Sequence, residues 1–108
     1  MKLKYPKKVT IGAYEFEMVY DKKTGGGSFE LPYKGKHGKI TIGTRDANKD
    51  PGDFLSILIH ELTEVIHVTL AQRFTHADTN YDYLFCYRHQ GHTAACNLLA
   101  GVLKQFIG

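Results

Sequence analysis

The stretch that decides the fold is residues 50–70, DPGDFLSILIHELTEVIHVTL. Asp50 is a favourable N-cap, Pro51 suits the first helical position, and Asp53 places a negative charge in the first turn. The pattern therefore predicts one long helix that runs from Asp53 to about Phe74.

This helix has an unusually narrow polar face. One wide apolar face, expected to lie on a sheet, consists of Leu55, Leu58, Leu62, Val65 and Ile66. Further apolar residues flank the opposite side, namely Ile57, Ile59, Val68 and Leu70. The polar stripe left between them consists of Ser56, His60, Glu64 and His67. A surface helix usually has a broad polar face, so a stripe this narrow predicts the wall of a pocket.

The stripe has the character of a metal site, within the sequence HELTEVIH from His60 to His67. His60 and Glu64 are four residues apart and share a helix face, where imidazole and carboxylate can bind one ion. Glu61 lies about 100° round from His60, at the edge of the stripe, where it can act as a general base. His67 is about 10.5 Å along the axis from His60, so it is predicted to line the pocket rather than to bind the ion.

A hydrolytic zinc site needs three protein ligands and one position for water, whose pKa the metal lowers toward about 7. The third ligand is expected from His89 or His92, near the start of a second helix, which completes a His₂Glu set. His89 is favoured, because Gly91 loosens the backbone beside it. His92 lies on the stripe predicted to face the core.

The first half of the chain predicts antiparallel strands. Residues 9–20 favour two short strands or one strand bent at Gly12. Residues 28–33 predict a short strand that Pro32 confines to an edge, and KITIGT, from Lys39 to Thr44, predicts another.

After the long helix, residues 75–82 predict a polar connection. The sequence YLFCY that follows fits either a strand or the start of a helix. A second helix is expected from about Gln90 to Phe106, with a buried stripe of Leu99, Val102, Leu103 and Phe106. The whole chain, residues 1–108, therefore predicts a single α+β domain, with a small antiparallel sheet of three to four strands, a long helix that carries the site, and a C-terminal helix.

The composition agrees with a packed globule, since 43% of the 108 residues are hydrophobic and 23% are charged. No apolar run approaches the 18 residues of a membrane span. Cys86 and Cys96 lack CxxC spacing and no secretory signal precedes them, which predicts reduced thiols in the cytoplasm.

Basic residues are concentrated in residues 1–39, which contain nine lysines and four acids. Such a region can contact nucleic acid, but lysine-rich strands are more often solvated edges that resist aggregation. The sequence shows no patch that combines aromatic residues with arginine, so nucleic-acid binding is the weakest of the functional hypotheses.

The sequence HELTEVIH resembles the active-site helix of the zincins, in which His-Glu-x-x-His supplies two zinc ligands and the base. Here Glu64 stands where the second histidine is expected. Most of the chain also resembles a group of small phage and prophage proteins, through the segments KYPKKVTIG, VYDKKTGGGSF and DPGDFLSILIHELTEVI and a late aromatic-rich stretch that ends in histidine. The phage resemblance implies the host cytoplasm as location but no particular activity.

The zincin resemblance implies a zinc-dependent peptidase or another hydrolase of amide bonds. It assigns His60 and Glu64 as ligands and Glu61 as the general base, and it implies a peptide substrate paired along the edge of the strand from Lys39 to Thr44. The alternative is a non-catalytic phage interaction or assembly protein, whose polar helix face binds a partner or a structural metal.

Overall fold

A computed structural model describes residues 2–47, 51–75 and 83–108 of the chain. The fold is α+β, as the sequence predicts: a four-stranded sheet packs with two helices, and a two-stranded hairpin lies between the helices in the chain. The elements are, in order, β1 (Lys8–Ile11), β2 (Tyr14–Asp21), β3 (Gly27–Glu30), β4 (Gly38–Gly43), α1 (Pro51–Thr69), β5 (Arg73–Thr75), β6 (Tyr83–Phe85) and α2 (His89–Leu103). A 3₁₀ turn, Lys104–Phe106, follows α2.

The sheet has the order β1-β2-β4-β3 and is mixed rather than antiparallel. β1 and β2 form a hairpin around Gly12, whose φ of 60° suits glycine, so residues 9–20 do contain two strands. β3 and β4 are also antiparallel, but β2 and β4 run parallel, with Met18 opposite Ile40. The expectation of a purely antiparallel sheet is therefore wrong at its centre. β4, in the interior of the sheet, is the most completely buried strand, whereas the four-residue β3 lies at the edge and is largely exposed.

The two faces of the sheet differ sharply. The inner face packs on the helices through fully buried side chains that include Val9, Ile11, Phe16, Ile40 and Ile42. On the outer face, register aligns Lys8, Glu17, Lys39 and Glu30 in one row across all four strands. Neighbours in this row carry opposite charges, which is a favourable cross-strand arrangement. Part of the lysine excess is thus balanced on the surface of the sheet.

Helix α1 ends earlier than the sequence predicts. Its last residue is Thr69, after which Ala71 adopts a left-handed conformation with φ of 56°. The Gln72 amide then donates to the His67 carbonyl over 2.7 Å, which closes the helix as a C-terminal cap. Phe74, the predicted end of the helix, lies instead in β5.

The buried face of α1 is largely as predicted. Leu58, Leu62, Val65 and Ile66 are all fully buried. Leu55 is an exception, because it is 44% exposed and Phe54, which is 3% exposed, occupies the core position. The reason is the four-residue spacing from Phe54 through Leu58 to Leu62, which leaves Leu55 about 100° off the core direction. The predicted N-cap Asp50 and most of the predicted polar connection, residues 76–82, lie outside the described residues.

The second half of the chain resolves the ambiguity of YLFCY, because its first three residues form β6, antiparallel to β5. Helix α2 then starts at His89, one residue before the predicted start. Of its predicted buried stripe, Val102 and the following Phe106 are buried, and Leu99 and Leu103 pack against the core. No helix in the described part of the chain is both long and apolar enough to cross a membrane.

The expectation that His92 points at the core is wrong, because His92 is exposed. The core stripe of α2 begins one turn later, at the buried Ala95. The first turn of the helix therefore extends past the edge of the core.

Candidate metal centre

Three side chains of α1 converge at one point on its polar face. His60, Glu61 and Glu64 each bring one potential ligand atom within 4.8 Å of the others. The His60 Nε2 atom lies 3.2 Å from Glu64 Oε2, as expected for residues four apart on a helix. The structure thus brings together the two predicted ligands and the predicted base.

Glu61 is the most enclosed of the three, with only 5% of its surface exposed. The edge of the sheet covers it: a Cβ atom on Gly27 would lie 2.7 Å from Glu61 Cγ, so only glycine permits this approach. Burial, and then the nearby Glu64 carboxylate, raise the pKa of Glu61, while His60 and Arg73 oppose this rise. Glu61 is therefore a carboxyl group whose protonated form the folded chain favours more than water does.

Arg73 is a member of the site that the sequence does not reveal. Its Nη1 atom lies 3.5 Å from Glu64 Oε1, and its guanidinium stands 5.4 Å from the centre of the Phe29 ring. Arg73 reaches this place because the chain turns back at Ala71 and runs along β5. The sequence predicts helix at this position, so no spacing pattern connects Arg73 with Glu64.

His67 lines a cavity between α1 and α2, whereas the predicted pocket is one that it shares with His60 and Glu64. Its ring and that of His92 each stack nearly parallel on Tyr87, with centroid distances of 5.4 and 5.9 Å. The cavity has a volume of 160 Å³, and Cys96, whose Sγ atom lies 3.6 Å from His92 Nε2, also lines it. Burial is the main cause that lowers the pKa of His67.

The two candidate third ligands, His89 and His92, lie on α2. Within the described residues the group that could share one ion comprises His60, Glu61 and Glu64, and neither His89 nor His92 belongs to it. His89 is exposed at the first residue of α2, and His92 packs on Tyr87. The assignment of a third ligand to either histidine stays a prediction.

The predicted substrate strand is not available for pairing. β4, which contains KITIGT, lies between β2 and β3 and is hydrogen-bonded to both. The expectation of a peptide paired along Lys39 to Thr44 is therefore corrected, because a central strand has no open edge. The edge strand beside the site is β3, whose first residue, Gly27, lies against Glu61.

The raised pKa of Glu61 predicts how the metal-free protein responds to pH. In the folded chain the pKa of Glu61 lies above its ordinary value of 4.5, because the folded protein favours the protonated carboxyl group. The stability that protonated Glu61 contributes is therefore fully present below pH 4.5 and is lost as pH rises through the folded pKa. Glu61→Gln, which cannot ionise, should therefore gain stability relative to the parent as pH rises from about 4 to 7. Urea unfolding of both proteins in EDTA at several pH values checks this. A difference that stays constant, or that shrinks with rising pH, contradicts the assignment.

The donor set suits a divalent ion such as zinc, because imidazole nitrogen and carboxylate oxygen are both common zinc ligands. The buried carboxylate beside them suits proton transfer. Neither a family model, nor a curated protein, nor a solved structure matches the chain. The function therefore has to be argued from the site itself.

Proposed function

We propose that the protein is a zinc-dependent hydrolase, most closely a minimal zincin-like metallopeptidase that acts on peptide bonds. The observation that carries this proposal is the convergence of His60, Glu61 and Glu64 within 4.8 Å on a helix whose opposite face lies in the core. A mere surface pair of His and Glu needs no buried second carboxylate, yet Glu61 is buried at this point.

In this proposal His60 and Glu64 hold the ion, and Glu61 takes the proton of the attacking water. Bound zinc supplies a Lewis acid that polarises a carbonyl group and lowers the pKa of water. Burial keeps the Glu61 side chain largely away from bulk water, and it lies within 4.8 Å of both ligand atoms, within reach of a water on the ion. Arg73 forms an ion pair with the Glu64 carboxylate and contributes a fixed positive charge beside the site.

The substrate in this proposal is an extended peptide that adds to the open edge of β3. Among the described strands, β3 pairs only with β4, so its other edge is available for β-addition. A peptide on that edge passes beside Gly27 and therefore close to Glu61. We place the activity in the cytoplasm, because Cys86 and Cys96 are both free thiols, as is usual in reducing compartments.

Zinc titration of protein purified without a histidine tag tests the proposal. The parent should bind one Zn²⁺ per chain, and His60→Ala or Glu64→Ala should weaken binding by more than about 100-fold, since ligands share a total of roughly 10–16 kcal/mol in structural zinc sites. His37→Ala is the matched control, because His37 is exposed and pairs with Glu15 at 3.3 Å on the sheet. Retention of parent affinity in both ligand variants sinks the metal site.

The same titration assigns the third ligand. His89→Ala should lose zinc affinity like the other ligand variants, while His92→Ala should keep it and alter only the stacking on Tyr87. The reverse result transfers the role to His92. Zinc binding without hydrolysis of any peptide supports instead the alternative, a non-catalytic phage interaction or assembly protein with a structural metal.

A further inference from the structure

The fold assembles a second cleft that shares no residue with the candidate metal centre. Three aromatic rings form its walls: Tyr5 lies 5.6 Å from Tyr20 and 5.3 Å from Phe54, and the last two are 6.3 Å apart. They come from the N-terminal segment, β2 and α1. The cleft has a volume of 460 Å³, within the range of sites that bind small planar groups.

The three rings differ in how deeply they are buried. Phe54 is 3% exposed, and the Tyr20 hydroxyl donates to the Pro6 carbonyl over 2.8 Å. Burial and the neighbouring Tyr5 raise the pKa of Tyr20 to about 12, so this hydroxyl stays a neutral donor. Tyr5 differs, because 59% of its surface is exposed. Its ring is accessible to solvent, while the two rings on which it packs, Tyr20 and Phe54, are held in place by their own contacts.

Positive charges at the rim select the kind of ligand. Lys22 and Arg45 line the cleft beside the aromatic walls. Arg45 pairs with Asp46 at 3.4 Å, but a guanidinium has five donors and one such contact occupies few of them. A cluster of aromatic rings alone also suits a quaternary ammonium group, but two cations at the rim repel it. An anion that carries a flat ring fits both features, since its ring can stack on the aromatic walls and its negative charge can pair with the cations at the rim.

Tyr5 and Tyr20 also line a second hollow, a groove on the sheet. This groove has a volume of 610 Å³, and Lys7 and Lys8 line it as well. Glu15 and Glu17 lie there too, but Glu15 pairs with His37 and Glu17 stands between lysines in the charged row. Cations therefore line both hollows that share the exposed Tyr5 ring. This arrangement matches a chain in which phosphates flank each base, rather than an isolated nucleotide.

We propose that this surface binds single-stranded nucleic acid, with one base stacked on Tyr5 and the flanking phosphates held by Lys22 and Arg45 in the cleft and by Lys7 in the groove. Aromatic stacking with a cationic track is how sequence-tolerant single-strand binding works. The combination is invisible in the sequence, because its parts come from separate segments of the chain. The proposal is independent of the hydrolase function and needs no metal.

Fluorescence anisotropy with a labelled single strand of about ten thymidines, titrated with the full chain in EDTA, tests the proposal. The parent should bind, and the affinity should fall steeply between roughly 50 and 200 mM salt. Tyr5→Ala should weaken binding roughly 5- to 150-fold, the factor that corresponds to the stacking free energy of one base on an aromatic ring. Tyr5→Phe keeps the ring and should retain the parent affinity. Tyr14→Ala is the matched control, because Tyr14 is 49% exposed and lines neither the cleft nor the groove.

A charge reversal gives a second readout that does not disturb packing. Arg45→Glu, at a side chain that is 60% exposed, should weaken binding and reduce its salt dependence, while Lys34→Glu, at a lysine that lines neither the cleft nor the groove, should have a smaller effect. Absence of salt-dependent binding by the parent overturns the proposal. So does Arg45→Glu binding no more weakly than Lys34→Glu. If thymidine monophosphate competes as strongly as the oligomer, the surface is a mononucleotide site, and the proposal that it binds a single strand is overturned.

Discussion

Replacing Glu61 by glutamine should reduce the kcat of peptide hydrolysis by roughly 10²- to 10⁴-fold. The fold and zinc binding should persist. The amide has nearly the shape of the carboxyl group and fits the same enclosed space beneath Gly27, but it cannot accept a proton. Because the folded protein disfavours charge at this position, the variant should also fold at least as stably as the parent at neutral pH. A loss of activity cannot then be ascribed to unfolding.

The measurement is turnover of a peptide mixture by zinc-loaded protein, followed by mass spectrometry. Glu17→Gln makes the same chemical change at an exposed residue on the outer face of the sheet and should leave turnover intact. Full activity in Glu61→Gln removes its role as base. Loss of zinc in this variant makes Glu61 a ligand instead.

Truncation of Leu62 should produce a large loss of stability, because this side chain is fully buried in the core. Leu62 lies directly after Glu61 in α1. Leu62→Ala removes buried methyl groups and leaves a cavity, which typically costs about 2–5 kcal/mol in the free energy of unfolding. Leu55→Ala provides the matched control on the same helix. Since Leu55 is 44% exposed, its truncation should change the free energy of unfolding by no more than about 0.5 kcal/mol.

Urea unfolding monitored by circular dichroism separates these two variants. Equal losses of stability in Leu55→Ala and Leu62→Ala contradict the observed orientation of α1, in which Phe54 rather than Leu55 faces the core. Because α1 also carries the candidate metal centre, zinc affinity measured on the same two proteins shows how far the site depends on core packing. Leu55→Ala should bind zinc like the parent.

Much of the helix and of the site follows from local sequence. The helix period places His60 beside Glu64 whatever surrounds them, since residues four apart share a face. Pro51 at the first helical position and the turn at Gly12 are likewise properties of a few neighbouring residues. The buried positions Leu58 and Leu62 follow from the apolar spacing along one helix. These features are predictable because the interactions that cause them lie within one or two turns of chain.

Other features depend on contacts between distant segments. The parallel pairing of β2 with β4 joins strands that are not consecutive in the chain, since β3 lies between them in sequence but at the edge of the sheet. The left-handed residue Ala71 turns Arg73 back toward Glu64, although the local pattern favours a continued helix. The aromatic cleft likewise joins the N-terminal segment to α1.

Burial supplies the physical reason for this division. A periodic pattern shows which side of a helix is apolar, but the direction of the core is set by whichever elements pack there, so Phe54 displaced Leu55. For the same reason the pattern placed Glu61 only at the edge of a polar stripe. Its burial, and the pKa that this burial raises, exist because Gly27 on a separate strand lies over it. The local sequence selected the chemical groups of the site, and tertiary packing determined their environment.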